Sequence, residues 1–107
     1  MRERKRPPVH PGRIISHHHL GPLGLTVTDL ARVLQVSRKT ASKLINERGA
    51  VTPDMALRLA RAFNTTPNLW LNLQLEHDLW RAAHQSSAWK TVRAVTSPSG
   101  LNNGQRL

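Results

Sequence analysis

The sequence contains no cysteine, which excludes disulfides and any cysteine-based zinc finger, and a reducing compartment suits it. It has no apolar run approaching the roughly 20 residues that a membrane span needs, so no membrane partner is expected. The basic start, Met1–Arg6, runs into Pro7, Pro8 and His10 and not into an apolar stretch, so it is not expected to act as a secretory signal. There is no glycine-rich phosphate loop. Acidic side chains are scarce, with 6 Asp and Glu against 16 Lys and Arg, a net charge of +10. So basic a chain points to a polyanionic partner, and nucleic acid is the first choice. At 107 residues there is room for one domain and not for two.

The charge is unevenly spread. Residues 1–48 carry 10 basic and 3 acidic side chains, a net of +7, whereas residues 49–107 carry 6 and 3, a net of +3. Two readings fit the basic arm Arg2–Arg6: a solvated tail, or a segment that reaches a phosphate backbone or minor groove.

Helix signals follow one another along the chain. Pro7, Pro8 and Pro11 keep the first residues out of a helix. Arg13 to Leu20 has Ile14, Ile15 and His18 at helical spacing, and Gly21-Pro22 and Gly24 predict a break after it. Thr26 reads as an N-cap with Asp29 in the first turn, before Leu30, Ala31 and Leu34 on one face. Ser37 is a second cap, leading into Arg38–Ile45 with Ala41, Leu44 and Ile45 inward, and Gly49 is expected to end that region. Thr52-Pro53-Asp54 joins a cap, an N1 proline and a first-turn acid ahead of the stripe Met55, Ala56, Leu59, Ala60 and Phe63. Thr66-Pro67 repeats that start. Trp70, Leu73, His77 and Trp80 then form one apolar line, and Leu71, Leu75 and Leu79 a second beside it. No segment before residue 88 alternates with period two. The expectation is an all-α, five-helix domain over residues 12–84, with a basic N-terminal arm at 1–11 and a flexible C-terminal tail at 85–107. Within the tail, Trp89–Val95 reads as a short strand or as an arm that docks, contacting a symmetry mate or the toxin.

Residues 27–46 carry the sharpest signal. Two short helices crossing over a tight turn need a small residue where their axes approach, which Ala31 supplies. They need apolar inner faces, which Leu30, Leu34, Val36, Ala41 and Leu44 supply. The spacing resembles the helix-turn-helix of phage-repressor (XRE-type) proteins. One departure is Gln35, where such turns often carry a glycine with positive φ. On the outward side of the second helix, Arg38, Lys39, Ser42 and Lys43 suit base edges in a major groove. Ser37, Thr40 and Asn46 suit phosphates. No acid occurs between residues 30 and 46. These seven residues are the candidate DNA contacts.

Three further blocks narrow the resemblance. His10-Pro11-Gly12 resembles the HPGE start of HigA-type antitoxins, with Arg13 at the acid's position. AVTPDMALRLARAF at 50–63 resembles the family's IT.D.ALRLA.AFG, with Asn64 in place of the final glycine. TTPNLWLNLQLEHDLW at 65–80 resembles TSPEFWLNLQ..YDLW, with His77 at the tyrosine position. The likeness covers roughly residues 9–82. It implies a repressor-like fold and a protein of a type II toxin–antitoxin pair. Such a protein neutralises a HigB-like mRNA endonuclease toxin, represses its own operon on a palindromic operator as a homodimer, and works in the cytoplasm on the nucleoid. A stand-alone XRE-type regulator without a toxin is the alternative.

Other constellations carry less. Successive side chains on a helix point about 100° apart, so His17, His18 and His19 cannot converge on one ion, and no metal or other cofactor is expected. Ser, His and Asp are present without a nucleophile elbow, so no enzyme is expected. Trp70, Leu73, Leu75, Leu79 and Trp80 offer more apolar surface than one core needs, and the surplus suits a symmetry mate. Glu76 and Asp78 either face a toxin or pair with Arg81 or Arg58.

Overall fold

The computed structural model describes residues 6–95, and the sequence expectations for Arg2–Lys5 and for the tail beyond Val95 fall outside them. Five helices form the domain. Helix α1 occupies residues 11–23 in three continuous segments, Pro11–Ile14, Ile15–Leu20 and Gly21–Leu23. Then come α2 (Val27–Leu34), α3 (Arg38–Ile45), α4 (Pro53–Phe63) and α5 (Pro67–Gln85), followed by a 3₁₀ turn at Ala88–Thr91. No strand occurs among the described residues, and no helix there is long and apolar enough to cross a membrane.

The helix starts are fixed by local chemistry. The Thr26 hydroxyl accepts from the Asp29 amide at 3.1 Å while the Asp29 carboxylate accepts from the Thr26 amide at 2.9 Å, a reciprocal cap. Hydrogen bonding to its carboxylate from the Thr26 amide first, and then from the Thr26 side chain, holds the Asp29 carboxyl below its ordinary pKa. Ser37, Thr52 and Thr66 each accept an amide proton three residues on. Each such cap contributes about 1 kcal/mol.

Helix α1 runs further than the sequence suggests. Its middle segment is a π-helix, with i→i−5 hydrogen bonds, and it carries the chain through Gly21 and Pro22 to a left-handed stop at Gly24, φ 66°. The wider turn accommodates a proline that would break an ordinary helix. It also shifts the inward face. His18 is exposed, and His19 instead turns inward, stacking on Phe63 with ring centroids 4.0 Å apart. Burial and the neighbouring His18 lower the His19 pKa. Gly49 does not end α3; the chain turns through Asn46 and a left-handed Glu47, φ 60°.

The core gathers Ile15 and Leu20 of α1, Leu30 and Leu34 of α2, Ala41 and Leu44 of α3, Met55 and Leu59 of α4, and Trp70 of α5. Trp70 is completely buried, and its indole N–H donates to the Thr65 hydroxyl at 2.7 Å. Burying such side chains contributes about 1.5–3 kcal/mol each. The Trp70, Leu73, His77 and Trp80 line faces inward. Leu75 and Leu79 of the second line stay 53% and 58% exposed, which leaves an apolar strip on α5.

Trp89–Val95 forms no strand. Its first residues form the 3₁₀ turn, which the Trp89 indole ties back to the Ala83 carbonyl at 3.3 Å, while Trp89, Val92 and Val95 all remain exposed.

Candidate nucleic-acid interface

Helix α3 begins at Ser37, whose hydroxyl accepts from the Thr40 amide at 3.0 Å and donates to the Thr40 hydroxyl at 2.9 Å. No acid sits in its first turn, so no negatively charged side chain offsets the positive end of the helix dipole there. Arg38 leaves this end of the helix and donates its Nε–H to the Thr28 hydroxyl of α2 at 3.1 Å. That bond engages Nε, and Arg38 is exposed; the terminal amino groups of an arginine are a pair that can fork onto guanine O6 and N7 or onto a phosphate.

Ser37, Arg38, Lys39 and Thr40 are therefore together at the N-terminus of α3, all exposed, with Thr28 beside them. Lys43 lies one turn after Lys39 on the same face, also exposed. No carboxylate among the described residues lies within ion-pair distance of Arg38, Lys39 or Lys43. Ser42 and Asn46 follow Lys39 at i+3 and i+7, along the same side of the helix. Ser42 is half-buried and accepts from the Asn46 amide group at 3.2 Å, and Asn46 is the residue that ends α3. Eight residues of helix span about 12 Å, so Asn46 lies at the far end from Ser37.

The turn before α3 has the left-handed residue foreseen at position 35, with Gln35 at φ 58°. A side chain costs about 1 kcal/mol in that conformation. A residue that sequence reasoning missed supports this turn. Arg58 of α4 donates from one terminal nitrogen to the carbonyls of Leu34, at 2.8 Å, and Gln35, at 3.1 Å. Its Nε–H donates to the Asp54 carboxylate at 2.7 Å. These partners lie 24 and 23 residues from Arg58 in the chain, beyond any local pattern.

The blocks that carry the family resemblance are built from packing. His10 is buried; its Nδ1 accepts from the Gly12 amide at 2.9 Å, so Nε2 holds the proton and donates to the Gly49 carbonyl at 3.1 Å. Burial, and then the nearby His77, lower the His10 pKa, which keeps the ring neutral. A β-carbon on Gly12 would collide with the Leu44 carbonyl oxygen, so α1 crosses the end of α3 at backbone contact. Gln74, the last residue of the WLNLQ block, is buried and accepts from the Val51 amide at 2.9 Å. Its own amide group donates to Asp78 at 3.0 Å. Neither Glu76 nor Asp78 pairs with Arg81 or Arg58, as Arg58 is taken by Asp54.

A family model described as "Helix-turn-helix" matches residues 20–70. Antitoxin HigA-1 of Vibrio cholerae is 44% identical over 80 residues, covering 75% of each chain. The chain belongs to the HigA-type helix-turn-helix family. An uncharacterised HTH-type transcriptional regulator of Haemophilus influenzae is 46% identical to this HigA-type chain over 90 residues, 84% of both. The solved structure of antitoxin GraA in complex with its operator superposes with a TM-score of 0.76 at 37% identity, covering 91% of this HigA-type chain and 99% of that one. The family consists of DNA-binding antitoxins and regulators, not enzymes.

Proposed function

We propose that this chain is the antitoxin of a type II toxin–antitoxin pair, which represses its own operon by inserting the N-terminus of α3 into the operator's major groove. The observation that carries this reading is the exposed, acid-free cluster of Ser37, Arg38, Lys39, Thr40 and Lys43, with Arg38 braced on Thr28. In this reading Arg38, Lys39 and Lys43 contact bases or phosphates, Ser37 and Thr40 contact phosphate, and Ser42 and Asn46 act at the margin. The relative bound to its operator, GraA, supports the same use of the fold. The DNA-binding domain is residues 12–84, flanked by the arm at 1–11 and the tail at 85–107, and the protein acts in the cytoplasm on the nucleoid.

One recognition helix reads only a few base pairs, so repression takes two, about 34 Å apart across a two-fold axis. The exposed Leu75 and Leu79 of α5 are the surface for that homodimer. The second partner is a HigB-like toxin, expected as a small basic protein. With this chain at +10, its capture relies on apolar burial and local acids and not on net charge. The Haemophilus relative's description as a transcriptional regulator favours a second reading, a regulator without a toxin.

Two measurements test the proposal. Arg38→Ala and Lys43→Ala should each weaken binding to the DNA upstream of the gene by about 1–3 kcal/mol, with melting temperature unchanged. Unaltered affinity in both variants would overturn the α3 assignment. Co-purification with the product of the adjacent reading frame separates antitoxin from regulator, since only an antitoxin holds a toxin.

A further inference from the structure

We propose that Arg58 is a positioning residue for the recognition helix, acting from α4 through the turn between α2 and α3. This rests on the DNA-binding reading above and deepens it. The turn has two needs that its own sequence leaves unmet. Gln35 must adopt a left-handed conformation in which glycine is at ease and glutamine is not. The carbonyls of Leu34 and Gln35, at the end of α2, have no helical partner of their own. A single nitrogen of Arg58 meets both carbonyls, at 2.8 and 3.1 Å, and sets a cation at the negative end of the α2 dipole.

Asp54 completes the device. Its carboxylate holds Nε at 2.7 Å one turn earlier on α4, so the guanidinium is aimed at the turn and not left to wander. The Asp54 carboxyl is largely exposed, so its role is orientation and its contribution to stability is small. The backbone of the turn is further closed by the Gln35 amide donating to Arg32 and the Val36 amide to Ala31, at 3.2 and 3.0 Å. The conformation of this turn sets the angle at which α3 leaves α2. That angle decides whether Arg38 reaches both Thr28 and the groove. Arg58 thus influences DNA recognition through backbone geometry.

The experiment uses the full chain, a duplex of the DNA upstream of its own gene, and Arg58→Met, Arg58→Lys and Gln35→Gly, alone and combined. Operator affinity is measured across a salt series. Exchange of the Gln35 and Val36 amides is followed by NMR in the free protein. Arg58→Met should weaken binding about ten-fold with the salt slope unchanged, because no phosphate contact is lost. It should also speed exchange at Gln35 and Val36 more than in the core of α4. Adding Gln35→Gly should recover much of the affinity, since glycine takes the left-handed turn without help. Arg58→Lys, which keeps the cation but not the fork, should fall between, and it carries the test if Arg58→Met does not fold. A slope shallower by about one would make Arg58 a phosphate contact and overturn the proposal. Unchanged affinity, or no recovery with glycine, would overturn it equally. If the unmodified chain binds no upstream DNA, the DNA-binding reading fails, while the amide exchange still decides whether Arg58 holds the turn.

Discussion

Replacing Gly12 with alanine probes how α1 is locked to the recognition helix. The added β-carbon would run into the Leu44 carbonyl oxygen, with the Leu44 carbonyl carbon at 3.0 Å and the His10 Nδ1 at 3.2 Å closing in as well. Two of these three atoms are backbone at the end of α3 and cannot swing aside as a side chain can. Relief requires α1 to retreat by about an ångström or more. Such overpacking costs about 1–3 kcal/mol where a core can partly adjust. The ceiling is full loss of docking for Ile15 and Leu20, both buried, at about 1.5–3 kcal/mol each, plus about 1 kcal/mol for the His10 cap. We expect a loss of about 3 kcal/mol, which lowers the melting temperature by roughly 10–25 °C for a domain of this size. Circular-dichroism melts and urea midpoints of wild type and variant measure it. Gly24→Ala is the internal control, because nothing lies within 4 Å of its β-position and only the left-handed φ of 66° opposes it, at about 1 kcal/mol. A Gly12→Ala loss under about 0.5 kcal/mol, the range of ordinary surface changes, would refute the backbone-contact account.

Stability should also depend on pH through His10 and His19. Both have folded-state pKa values below the ordinary 6.5, so the unfolded chain takes up protons first and stability falls as pH drops below about 6.5. Urea midpoints between pH 7.5 and 5.5 should decline in wild type and decline less in His10→Asn; a flat wild-type profile would contradict the buried neutral ring. Leu75→Glu with Leu79→Glu should yield a folded monomer by light scattering with weakened operator binding, and a persisting dimer would move the interface elsewhere. Glu76→Lys should weaken toxin binding, by calorimetry, more than operator binding. Asp78 is the poorer probe because it anchors Gln74, and intact toxin affinity in Glu76→Lys would relocate the toxin surface.

The elements most legible in sequence were those whose signals are local. Ser37, Thr52 and Thr66 cap the helices they precede, and Asn64 and Gln35 take the left-handed conformation expected at their positions. The exposed cations of α3 were legible for the same reason, since helical periodicity separates Ala41 and Leu44 from Lys39 and Lys43. What escaped was what the fold supplies from a distance. His10 reaches Gly49 across 39 residues and Gln74 reaches Val51 across 23, so no window of sequence holds both partners. The course of α1 escaped for a different reason. Gly21-Pro22 is a sound break signal in an ordinary helix, and the π-helical segment before it changes the rule. The hydrogen bond between Ser42 and Asn46, two of the candidate DNA contacts, is likewise a feature that residue type alone does not reveal.

The three tryptophans lie at three different depths, and this gives the chain an optical readout without any label. Trp70 is sealed in the core, Trp80 lies stacked on His84 with ring centroids 4.0 Å apart, and Trp89 is 51% exposed beyond the end of α5. The first should emit in the blue and resist added quenchers, the last should emit in the red and be quenched readily. A binding event that covers the end of α5 would alter only the red component, while unfolding of the domain would shift the blue one, so the two processes can be told apart in a single titration.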